Sequence, residues 1–188
     1  MATKTTPADV KIPPRDIRFD FEGAQRHWLG GDPVGTAVFN ALSLTFPDGE
    51  RMFIDAVRHY RDRVDGKLAE DVKGFIVQES IHSREHHTLN QLIDRGFYPV
   101  ADIEAGIKER VGIARSRGPM RMLLSTIALE HITSMMADIH AANQHLFDGA
   151  PPGVERLWQP SAYVGSFGDL TSNAVGAYVR QWEADDGD

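Results

Sequence analysis

The stretch from Val72 to Ile93 reads VKGFIVQESIHSREHHTLNQLI. At helical spacing one face collects Val72, Phe75, Ile76, Glu79, His82, Ser83, His86, Leu89 and Ile93. Both ends of that stripe are apolar, and its middle is a carboxylate and two imidazoles. A helix that turns Glu79 and His82 toward a core has to give them a partner, because an unpaired buried charge is very costly. The partner is either a set of hydrogen bonds or a metal ion. An inward Glu-x-x-His is one way in which helix bundles hold a metal.

Working outward toward the N-terminus, Asp65-Gly66 closes a preceding helix that starts near Pro47. Its inward positions are Phe46, Glu50, Phe53, Val57, Tyr60 and Val64, so a second glutamate sits on an apolar stripe. Phe46-Pro47 is expected to break or kink this helix away from an earlier one that begins at Asp32-Pro33 and carries Val34, Ala37, Val38, Ala41 and Leu42. Residues 1–22 read as an extended tail, with Ile17, Phe19 and Phe21 alternating as along a strand-like edge.

Toward the C-terminus, Arg95-Gly96 is expected to cap the central helix. A helix over 102–116 turns Ile103, Ile107, Val111 and Ala114 inward. From Pro119 to Phe147 the chain is apolar nearly all round, which predicts a buried central helix, with Glu130 in its middle in the run ALEHITSMMA. Asp148 to Gly153 is a loop, and Val154 to Trp158 is short and amphipathic. The organisation expected is a tail (1–22), a helical metal-binding domain (23–158) and a divergent C-terminal tail (159–188), in which Leu170, Ala174, Tyr178 and Trp182 have the spacing of one short helix.

The 188 residues carry a net charge of -7, which argues against non-specific binding to nucleic acid or anionic membrane. With no cysteine, disulfides, thiolate catalysis and iron–sulfur clusters are excluded. The N-terminus lacks the apolar core of a secretory signal, and no run reaches the length of a membrane span, so a cytoplasmic protein is expected.

Glu50, Glu79 and Glu130 therefore come from three helices, with His82 one turn from Glu79. Clustered carboxylates repel one another unless protons or cations neutralise them. Mixed carboxylate and imidazole donors suit iron, manganese or zinc. His86 shares the face of Glu79 and His82 and is either a further ligand or a donor that orients one. Glu85, His87 and His59 are expected to face water. His131 reads as a packing or supporting histidine, with Asp138 one heptad on as a hydrogen-bond partner. There is no Gly-x-Ser-x-Gly elbow and no His-Glu-x-x-His.

The strings FPDGERMFI (46–54), FIVQESIHSREHHTLNQLI (75–93) and ALEHITS (128–134) resemble the bacterial family of predicted metal-dependent hydrolases. That family in turn resembles the ferritin-like di-iron carboxylate bundles. The resemblance implies an all-α bundle with Glu50 on the first ligand helix, Glu79 and His82 on the second and Glu130 on the third. It also implies a fourth helix bearing another Glu-x-x-His. This chain departs there: no histidine follows His145, and the only later glutamates are Glu155 and Glu183. A bundle without its fourth ligand helix leaves apolar faces that a homodimer would cover. The expected function is a metal-dependent enzyme, iron being the first candidate metal, that activates water or dioxygen for an unnamed small molecule. The alternatives are a non-catalytic metal-binding protein and a degenerate structural helical dimer.

Overall fold

A computed structural model of the chain describes residues 14–159, and the expected helix at Leu170 to Trp182 lies outside them. The described residues are all-α: α1 (Pro33–Tyr60), α2 (Gly66–Asn90), α3 (Val100–Ser116), α4 (Pro119–Ala142) and the short α5 (Pro152–Trp158), with 3-10 turns at Arg61–Arg63 and Gln144–Phe147. Helix α1 is the hub, since it packs on α2, α3 and α4.

Pro33 at the first position starts α1, and the Asp32 carboxylate accepts from the backbone N–H groups of Val34 and Gly35 at 2.9 and 3.1 Å. The expected break at Pro47 does not occur; α1 runs through it for 28 residues. A proline inside a helix withholds the N–H that would bond the carbonyl four residues back, here that of Ser43. Asn90 of α2 supplies the missing donor, its Nδ2 lying 3.1 Å from the Ser43 carbonyl oxygen. Tertiary structure thus satisfies the group that the local sequence leaves open, and the helix continues.

Helix α2 buries two faces. Phe75, Glu79, His86 and Leu89 lie on the expected stripe, while Gln78, Ile81 and Glu85 are buried on another side. That second side meets residues 15–21. The Arg15 N–H donates to Gln78 Oε1, the Phe19 N–H donates to Glu85 Oε2, and Arg84 donates to the Ile17 carbonyl, each at 3.0 Å. Glu85, expected in water, is therefore buried, held by Arg84 and by the strap that crosses it. Phe21 joins Trp28, Leu29, Ile81, Leu89, Phe147, Val154 and Leu157 in a core under this strap. The strap crosses α5 so closely that a Cβ at Gly153 would run into the Asp20 carbonyl oxygen.

Helix α2 ends at Asn90, well before Gly96, which lacks the left-handed conformation of a glycine cap. Its place is taken by a turn in which the Asp94 carboxylate accepts from the Gly96 N–H at 3.0 Å. Helix α3 turns Ile103 and Ile107 against Leu44, Ile93 and Val100, and Val111 and Ala114 against the Met52–Val57 side of α1.

Helix α4 differs most from expectation. Met122, Leu123, Thr126 and His140 are buried, but Ile132, Met135 and Ile139 are 51–57% exposed. Helices α1 and α3 cover only one side of it, and no other described helix closes the opposite side. The helix also stops at Ala142 rather than at Phe147, where the Asn143 side chain donates to the Ile139 carbonyl at 2.7 Å. No described helix is long and apolar enough to cross a membrane.

The Pro47–Asn90 arrangement makes a measurable prediction. Asn90→Ala leaves the Ser43 carbonyl buried without a donor and should cost about 1–3 kcal/mol in urea unfolding. In a Pro47→Ala background the alanine N–H can take that carbonyl, so the same change should cost measurably less. Equal costs in the two backgrounds would show that the two residues are not coupled.

Candidate metal centre

Glu50 lies one turn after Pro47 on α1, and Glu79, His82 and His86 project from the facing side of α2. Glu130 comes from the middle of α4 and lines the same cavity as these four. Glu50 and Glu79 are 1% and 5% exposed, so both carboxyls are essentially out of water. One potential ligand atom from each of Glu50, Glu79 and His82 lies within 4.8 Å of the other two. His86 and Glu130 stand beside this trio rather than in it. His131 and Asp138 are exposed on α4, and no hydrogen bond joins them. His59 and His87 face solvent.

A directed chain of hydrogen bonds fixes the imidazoles. Asn90 gives its amide N–H to the Ser43 carbonyl, so its Oδ1 is the acceptor and takes the Ser43 hydroxyl proton at 2.7 Å. The Ser43 oxygen is then free to accept, and His86 Nδ1 lies 2.8 Å away and donates. Burial, then the neighbouring His82, drives the His86 pKa well down, so the ring is neutral and its Nε2 is a lone pair. That lone pair sits 3.0 Å from His82 Nε2, which must therefore carry the proton. His82 Nδ1 is left facing Glu50 Oε1 at 2.6 Å. Phe46 stacks on His86 at 4.1 Å between ring centres and covers the pair of histidines.

Burial dominates the electrostatics of the site. Burial first, and then repulsion from Glu130, raises the Glu50 pKa well above its ordinary value, with the Ser83 hydroxyl opposing the rise. Glu79 is raised by burial and by both other glutamates. Burial lifts Glu130 to about 7 against the pull of His82, a bias toward the protonated form of about 3 kcal/mol. Burial lowers His82 to about 4, with Glu130 opposing. The Ser83 hydroxyl, though near enough to Glu50 to oppose the rise, is turned to the Pro47 carbonyl at 3.4 Å. With His82 neutral and protonated on Nε2, both buried oxygens of Glu50 are therefore without a hydrogen-bond donor. The 2.6 Å approach of His82 Nδ1 becomes a bond only if a proton or a cation stands between the two atoms.

The donor set fits a metal. It offers two carboxylates and one imidazole on packed helices, with its most buried carboxylate otherwise unsatisfied. A family model described as predicted metal-dependent hydrolase matches residues 13–160. The chain belongs to that family. No curated protein and no solved structure matches it.

Several residues that build the site were not singled out in the sequence. Ser43 carries no motif, although a proline four residues on signals that its carbonyl needs an outside donor. Trp158 likewise reads only as the end of a short amphipathic piece, whereas Gln78 belongs to the Gln78-Glu79-x-x-His82 run that carries the family resemblance. Both line the cavity, and each has a buried side-chain nitrogen with no hydrogen-bond partner among the described residues.

A pH dependence follows for the metal-free chain. A carboxyl whose pKa is raised by folding loses stability as pH climbs from its unfolded value, near 4.5, through its folded value, about 7 for Glu130. His82 acts oppositely, losing stability as pH falls from about 6.5 toward about 4. Above 6.5 the histidine is silent and the glutamates act alone. The melting temperature of metal-free protein should therefore fall between pH 6.5 and 8, and Glu50→Gln should flatten that fall. A melting temperature that rises over this interval would contradict the assignment.

Proposed function

We propose that this protein is a metal-dependent hydrolase whose ion is held by Glu50, Glu79 and His82. The observation that carries the reading is Glu50: a carboxylate 1% exposed, both oxygens without a donor, beside a second carboxylate and an imidazole. Iron is the first candidate, and the same donors accept manganese or zinc. Bound there, a divalent ion supplies a Lewis acid that polarises a carbonyl and lowers the pKa of water.

The chain's own residues divide the remaining work. His86 accepts from His82 Nε2, and Ser43 and Asn90 hold His86 in turn, so the Nδ1 of His82 stays aimed at Glu50. Phe46 and Trp158 pack on His86 and keep water from its edges. Glu130 is the carboxylate on the opposite, cavity-facing helix. We assign it the proton of the attacking water, which it accepts and returns to the leaving group.

Water rather than dioxygen as the activated molecule is supported by the family's description. The donor count bears on the number of ions: among the described residues one group of three ligands is assembled, where a pair of irons would call for further ligands.

Elemental analysis of purified protein and of two variants tests the reading. Glu79→Ala should abolish metal loading. Glu130→Gln should retain near-wild-type metal while hydrolysis across a panel of simple esters and amides falls by roughly 10²–10⁴-fold. If Glu79→Ala loads as much metal as wild type, the site is wrong; if the loaded wild type hydrolyses nothing and only retains metal, the protein is a metal-binding module.

A further inference from the structure

The metal-site residues occupy one end of a cavity of about 280 Å³. Away from them the wall is mostly apolar, with Phe39, Leu42, Phe53, Met136, Phe147 and Leu157, and is interrupted by Thr133, His140 and Gln159. A cavity of about 150 Å³ with such walls is enough to take benzene, so this one has room for an apolar body about twice that size. An apolar space of this kind is usually either filled or filled on demand, because an unfilled one forfeits dispersion contacts along its whole lining.

The polar end specifies more than the volume does. Gln78 is 2% exposed and uses its Oε1 to accept from the Arg15 N–H, which leaves its Nε2 buried and unpaired. Trp158 Nε1 is likewise buried and unpaired, on a ring that meets the edges of His86 and Phe46 with centres 5.2 and 5.9 Å away. Two orphaned donors beside the imidazoles call for an acceptor. Three glutamates on the same cavity disfavour an acceptor with negative charge. A neutral carbonyl satisfies both conditions, and a carboxylate does not.

We infer that the cavity binds a neutral carbonyl compound, an ester or amide in the reaction, whose apolar acyl body of about ten carbons lies along Phe39, Leu42 and Phe147 and whose carbonyl end lies toward Gln78 and Trp158. The inference rests on the hydrolase reading for the reaction but not for the binding. In the reaction, water adds its oxygen to the acyl carbon, the bond to the alcohol or amine breaks, and the leaving group departs with a proton.

Straight-chain methyl ketones carry the same neutral carbonyl and cannot be hydrolysed, so they isolate binding. Calorimetric titration of the full chain, with its metal content measured in parallel, should give affinity that rises with chain length to an optimum near about ten carbons and then falls. Ala137→Phe, which projects a ring from α4 into the cavity, should weaken the ten-carbon ketone at least tenfold and move the optimum to shorter chains. Trp158→Phe keeps a ring beside His86 but removes the N–H together with the pyrrole half of the indole, and should weaken every ketone by roughly 3–10-fold. Decanoate should bind metal-free protein more weakly than the ketone.

Affinity that climbs with length without an optimum and ignores Ala137→Phe would mean adsorption to the exposed face of α4, and would overturn the inference. So would absence of binding, as when residues 160–188 or a second copy of the chain fill the space. Ketone binding with the stated optimum in protein that never loads metal would uphold the cavity's ligand and remove the hydrolase reading. Metal loading without ketone binding would do the reverse.

Discussion

Three carboxyl groups from three helices are held together where water is scarce, and that crowding governs the rest of the structure. At the 4.8 Å that bounds the Glu50, Glu79 and His82 ligand atoms, two full negative charges repel by about 3 kcal/mol even at an effective dielectric near 20. The imidazoles do not relieve this, because burial holds both in their neutral form. The chain has two ways to live with the cluster. Protons can occupy the carboxyls, as the raised pKa values describe, or a cation can sit among them and turn the repulsion into attraction. Leucines in these places would remove the repulsion, so the cluster is not a device for stability, and the second way agrees with the family's description as metal-dependent.

The scaffold around the cluster shows how a local defect is put to use. Pro47 removes one rung from α1 and exposes the Ser43 carbonyl, two turns before Glu50. Asn90 closes that gap from α2, and in doing so fixes which of its own side-chain atoms faces the Ser43 hydroxyl. The polarity then passes through His86 to His82, so a proline on one helix sets the proton position on a ring of the other. The two helices that carry Glu50 and Glu79 are thereby locked in register by buried bonds, which are worth more in a dry interior than at a surface.

Much of this was legible in the sequence, and the misses have physical causes. The 3.6-residue periodicity around Glu79 and His82 is strong because apolar residues flank both ends of the stripe, and the structure puts Glu79 in the core accordingly. Glu50 is legible for the same reason. Of the break or kink expected at Pro47, the break does not occur, because propensity describes an isolated helix whereas Asn90, 47 residues away from Ser43, supplies the missing donor. Glu85 looks solvated by its neighbours Arg84 and His87, and nothing local reveals that residues 15–21 cross over it. Helix α4 misleads in the other direction. A segment apolar on every side reads as central, but its position depends on how many neighbours the fold supplies, and the described helices cover only one of its sides.

That open side of α4 and the closed cluster beneath it belong to one design problem. Glu130 has to reach the site from a helix whose inner face, through Thr133, Ala137 and His140, is also a wall of the apolar cavity. Small residues at 133 and 137 keep that wall set back, so space remains between α4 and the aromatic groups of α1 and α5. Larger side chains there would close the space, improve packing and seal the carboxylates from any reactant. The cavity therefore costs dispersion energy that the fold could recover by a few substitutions. It stands beside a charge cluster that also costs energy, and both costs fall when something occupies the space, protons or a cation at the carboxyls and apolar groups along the cavity wall.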